Sequence, residues 1–136
     1  MRRAILLIIG IVALASFAFS QEQSRRSAEM QSLLEQRLKA AEKEHAAISA
    51  LINQGAGVAE ELVGAVERVL QAKLGLAETT EQKLAAYDEA LEFAQELQKR
   101  LEAQAGQVFT ISEVARTQYW VLDLKIRRLQ LEEGQP

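Results

Sequence analysis

Glu42 and His45 stand three residues apart in "EKEH" (residues 42–45). On a helix that spacing puts a carboxylate and an imidazole on one face, the pair that di-iron bundles use to hold metal. Such a centre also needs a second Glu-x-x-His and further carboxylates from facing helices. His45 is the sole histidine in the sequence and there is no cysteine, so neither a second motif nor a zinc set can be assembled. His45 also falls on an apolar helical stripe, which reads as the boundary of a core. The seven glycines are scattered and make no phosphate-cradling loop. No Gly-x-Ser-x-Gly elbow occurs. With 19 acidic residues some carboxylates must lie close together, but acid–base catalysis needs a pocket that drives their pKa values apart. No catalytic, cofactor-binding or metal-ligating residue is assigned, no cofactor is expected, and the chain is read as non-enzymatic.

What must position these side chains is a helical scaffold behind an export signal. "MRR" supplies a positive start, Ala4–Phe19 is an apolar run, and Ala18 and Ser20 occupy the small-residue positions of a cleavage site before Gln21. Residues 1–20 therefore read as a signal peptide. The alternative is an uncleaved anchor in the inner membrane, although the run is shorter than the roughly 20 apolar residues of a spanning helix. Cleavage would remove Arg2 and Arg3 from the 16 basic residues, leaving 14 against 19 acidic, a net charge of −5. That balance argues against nucleic acid, whose affinity comes largely from Lys and Arg on phosphates. Disulfides are ruled out. Pro136 is the only proline, and a chain rich in Ala, Leu, Glu, Gln and Lys reads as all-α.

The mature region, residues 21–136, divides into four segments of helical periodicity, about 24–54, 58–77, 80–104 and 110–133. The first carries Met30, Leu34, Leu38, Ala41, His45, Ile48 and Ile52 at steps of three or four. Ser24 or Ser27 is its expected cap, and Asn53, Gly55 and Gly57 its stop. The second carries Val58, Leu62, Val66, Val69 and Leu74, widened by Val63, Leu70 and Leu76. Thr79 with Gln82 makes a capping box that opens the third, the alternative being one bent helix over 58–104. The third carries Leu84, Tyr87, Leu91, Ala94, Leu97 and Leu101, with a solvated face of charge opposite. "VFTI" (108–111) is β-prone, yet Thr110 with Glu113 is a second capping box, and Phe109 and Val114 stand at the positions of a hydrophobic staple. The stretch is therefore expected to be a corner. The fourth helix continues through Val121, Leu122, Ile126 and Leu129. Tyr119 is expected in the core with Leu122 and Ile126, and Trp120 either in the core or as an exposed anchor.

Residues 61–76 align without gaps on residues 113–128, with Glu61/Glu113, Val69/Val121, Leu70/Leu122 and Lys73/Lys125 identical. Ala56-Gly57 precedes one copy and Ala105-Gly106 the other. The chain thus reads as two copies of helix, corner, helix, and repeats of this kind bury their apolar faces by stacking. Gly106, Thr110, Glu113, Val114 and Thr117 form a pattern that resembles the helical-hairpin units of the outer-membrane efflux (TolC-type) family. The first copy matches at Gly57, Glu61, Leu62 and Ala65, without a hydroxyl cap. The resemblance implies paired hairpins. It does not imply a channel, because no alternating strand pattern for a barrel is present.

The expected fold is an all-α, up-and-down bundle of four helices built from two hairpins, with an extended pair of long coiled helices as the alternative. The expected function is that of a periplasmic or secreted cell-envelope protein, acting by helix–helix contact with a protein partner or with itself. The membrane enters only through an uncleaved N-terminus. The alternative function is a small periplasmic chaperone or stress-response protein. "TTEQ" (79–82) weakly resembles the Leu-Thr-x-x-Gln motif of the Spy/CpxP group, with its leucine position changed.

Overall fold

A computed structural model describes the backbone of residues 2–54, 58–106 and 109–134, and side chains from residue 27 onward within those ranges. The described residues form four helices: α1 (Arg2–Asn53), α2 (Ala59–Leu76), α3 (Thr80–Ala103) and α4 (Ile111–Glu132). They separate into two compact units, residues 1–34 and 35–136. The second unit is an all-α four-helix bundle, made of the C-terminal part of α1 with α2, α3 and α4.

One expected boundary is corrected. The first helix does not begin near Ser24 but at Arg2. Residues 20–30 contain no Gly or Pro to break the backbone, and a serine caps only where the chain leaves helical geometry. Gly55, Ala56 and Gly57 lie outside the described residues. Among the described residues no helix is long and apolar enough to cross a membrane. The run Ala4–Phe19 lies outside the described side chains.

Side-chain pairs define the helix directions. His45 meets Phe93 and Asn53 meets Arg100, so α1 and α3 run the same way. Glu60 meets Arg116 and Glu67 meets Arg127, so α2 and α4 do as well. Lys73–Glu89 and Asp88–Arg128 join the opposed neighbours α2/α3 and α3/α4. Most of these ion pairs are largely exposed and each contributes at most about 1 kcal/mol. The stabilisation comes from the shared core, where Leu70, Leu101 and Leu124 are fully enclosed. Ile52, Leu62, Val66, Leu91, Leu97 and Trp120 surround them. Ala65, Ala72 and Ala94 are also buried, and small side chains at such positions let helices approach closely. Val58, expected on the α2 stripe, is half-exposed. It occupies the N-cap position in extended backbone and so precedes the helix.

Both capping boxes are present. The Thr79 hydroxyl accepts from the Gln82 amide at 3.2 Å, and the Gln82 side chain accepts from the Thr79 amide at 3.2 Å. α2 ends at Leu76 and α3 starts at Thr80, so residues 58–104 are not one bent helix. Glu81, at the start of α3, has its carboxyl held below the usual range, first by a backbone N–H and then by the Thr79 hydroxyl. Thr110 repeats the arrangement, with Glu113 N–H donating to its hydroxyl at 3.2 Å and its own N–H donating to the Glu113 carboxylate at 2.8 Å. Of "VFTI", Phe109 and Thr110 contribute to a corner and Ile111 starts α4, while Val108 lies outside the described residues. Gly106 has φ +77° and its N–H donates to the Phe109 carbonyl at 2.9 Å. Phe109 is buried and Val114 packs against the same core.

Candidate functional site

Three places in the bundle bring functional groups together. The first is the cleft around His45. It holds about 270 Å³ and is lined by Glu42, His45 and Phe93 with Val66, Leu70, Lys73 and Glu89. Glu42 and His45 do share this cleft, as their spacing requires. The imidazole, however, sits edge-on to Phe93 with ring centroids 5.1 Å apart and lies 3.3 Å from the Ser49 hydroxyl. Lys73 and Glu89 neutralise each other across the rim. Among the described residues no three His, Cys, Asp or Glu side chains are placed to hold a metal ion. The volume falls just below the roughly 300 Å³ at which small-molecule pockets begin, and so does the cleft of about 240 Å³ beside Trp120.

The second is a polar node on Glu67 of α2. Trp120 is 6 % exposed, and its indole N–H donates to Glu67 Oε1 at 2.6 Å. The Arg127 guanidinium donates to both Glu67 oxygens, pairs with Asp123 at 2.9 Å, and lies 6.0 Å from the Tyr87 ring centroid. Its pKa is raised, chiefly by the hydrogen bond to Glu67 and against the opposing effect of burial. An already permanent cation is thus held more firmly. Arg127 Nε is buried without a partner. The node ties α2, α3 and α4 together, with one guanidinium shared between two carboxylates. Nothing in the sequence pointed to Glu67, whose partners lie 53 and 60 residues away.

The third is the outer face of α4, and here the sequence reading is corrected. Tyr119, Leu122 and Ile126, expected in the core, are exposed to 73 %, 52 % and 54 %, and Leu129 to 52 %. The core face of α4 is Thr117, Trp120, Val121 and Leu124. Thr117 is accommodated because its hydroxyl donates to the Glu113 carbonyl at 3.0 Å. At about 100° per residue the stripe Tyr119, Leu122, Ile126 and Leu129 lies opposite that buried face. α4 is therefore apolar on both sides. Its outer stripe holds more large aliphatic residues than its inner one, so periodicity alone selects the wrong face. Trp120 belongs to the core, with its polar edge satisfied by Glu67.

In the second copy, the residues that suggested efflux-type hairpins have roles in the corner and the helix start: Gly106 turns the chain, Thr110 and Glu113 cap, and Val114 and Thr117 face inward. The aligned segments share burial at Ala65/Thr117 and Ala72/Leu124 and differ at Leu70/Leu122 and Arg68/Trp120. Thr79 and Gln82 of "TTEQ" are engaged in a cap. Compared with protein-family models, curated proteins and solved structures, the chain matches none. What the geometry defines is a helical bundle with a second apolar face on α4.

Proposed function

We propose that this chain is a non-enzymatic helical protein of the cell envelope that acts through helix–helix contact, its hairpins resembling those of the TolC-type family without a barrel. The carrying observation is the exposed stripe Tyr119, Leu122, Ile126 and Leu129 on α4. A helix whose two opposite faces are both apolar is the pattern of a helix packed on both sides, and the bundle covers only one of them. The clefts of about 270 and 240 Å³ fall just below the roughly 300 Å³ of small-molecule sites, which favours surface contact. Placement in the envelope rests on "MRR" and Ala4–Phe19, the features of an export signal.

The test is photocrosslinking in the native cell from position 122, with Glu92 on the exposed side of α3 as the control position, combined with fractionation. The expected result is an envelope protein that yields adducts from position 122 and none from position 92. Recovery from the cytoplasm alone, or no adduct from position 122, would overturn the proposal.

A further inference from the structure

We infer that the outer stripe of α4 pairs with the same stripe of a second copy of this chain, parallel and in register, as a two-stranded coiled coil. The inference rests on the reading above and names the partner of that surface.

Spacing comes first. Tyr119, Leu122, Ile126 and Leu129 are separated by three, four and three residues. That is the a, d, a, d pattern of two heptads, the 3.5-residue period that keeps a seam facing a second helix. Residue type comes next. Tyr119 and Ile126 take the a positions, and Leu122 and Leu129 the d positions; within a parallel coil, isoleucine at a with leucine at d favours two strands over three or four.

Charge on the flanks separates the two orientations. In a parallel pair Gln118 of one copy faces Asp123 of the other, and Lys125 faces Gln130. Each contact joins an amide to a charge, with no like charges opposed. In the antiparallel pair that overlaps all four seam residues, the two-fold axis passes near Leu124. Asp123 then faces its own equivalent, and Lys125 faces its own, so like charges oppose each other at both places.

Area agrees with a pair. With Ile111, which is 81 % exposed, the stripe offers on the order of 600 Å² of apolar side chain, the upper end of what monomers leave uncovered. Two such stripes, if wholly covered, bury at most on the order of 1,200 Å², the lower bound for a specific interface. The seam lies opposite Trp120 and Leu124, so pairing leaves the bundle core undisturbed.

The absence of cysteine from the chain makes the test direct. The full-length protein is prepared as Leu122→Cys and, separately, as Ile126→Cys, and each is oxidised mildly. Parallel pairing predicts that each variant forms disulfide dimers with itself, and that a mixture gives few mass-resolved heterodimers. Sedimentation of Ile126→Asp should show self-association weakened at least tenfold, with helicity by circular dichroism unchanged. Three results would each overturn the inference. They are abundant heterodimers in the mixture, a dimer insensitive to Ile126→Asp, or a protein that stays monomeric at tens of micromolar and whose Leu122→Cys variant forms no disulfide dimer. A monomer whose position 122 captures a different protein in cells overturns the second copy and leaves the proposed function standing. A monomer with no adduct at all removes both.

Discussion

Thr110 illustrates how one hydroxyl can set a boundary. It accepts the Glu113 N–H while the Glu113 carboxylate accepts from Thr110, satisfying donors that the first turn of a helix otherwise leaves to water. Thr110→Ala is expected to lower stability by about 1 kcal/mol in urea denaturation, with the native circular dichroism spectrum unchanged. Both boxes were legible because the chemistry lies within four consecutive residues. The Glu67 node was not, because its partners come from another helix. Trp120→Phe keeps the aromatic body and removes the indole N–H, leaving Glu67 to Arg127 alone. The expected loss is about 1–2 kcal/mol. An equilibrium stability equal to that of the wild type would mean that the bond at Trp120 contributes nothing.

At the scale of elements, the corner before α4 depends on backbone geometry. Gly106 has φ +77° and a Cβ built there would meet nothing within 4 Å, so Gly106→Ala introduces conformational strain without a clash. Its expected cost is about 1–2 kcal/mol, read from the shift in the urea midpoint at unchanged slope. The two faces of α4 give a sharper contrast. Leu124 is fully buried, and Leu124→Ala should cost about 2–5 kcal/mol through the lost contacts and the cavity. Ile126→Ala on the opposite face should stay within about 0.5 kcal/mol when stability is measured on dilute protein. Equal losses at the two positions would place Ile126 in the core after all. Helix extent in α2, α3 and α4 was readable to within a residue or two, because Gly, Thr and the capping pairs mark their ends. The start of α1 was not, because the serines near residue 24 lie in a backbone with nothing to interrupt it.

At the scale of the molecule, every buried residue among those described, from Ala41 to Leu124, falls in residues 35–136. A unit that contains its own core is expected to fold without the preceding segment. A chain starting at Glu35 should therefore unfold cooperatively in urea, with a helical spectrum matching α2–α4 and the remaining part of α1. Gradual, non-cooperative loss of helicity would show that residues 1–34 complete the fold.

Composition and periodicity were enough to establish an all-helical chain with four helices, because propensity, capping and the absence of internal proline act over a few neighbouring residues. They also bounded the chemistry, since one histidine and no cysteine cannot supply a zinc set or a second Glu-x-x-His motif. Which side of α4 faces inward was decided only by the tertiary structure. Both sides repeat at helical spacing, and the choice depends on what α2 and α3 present: Glu67 to receive Trp120 and Arg127, and a close-packed interior that admits Thr117 and Leu124. The stripe left outside was invisible as a surface until that choice had been made.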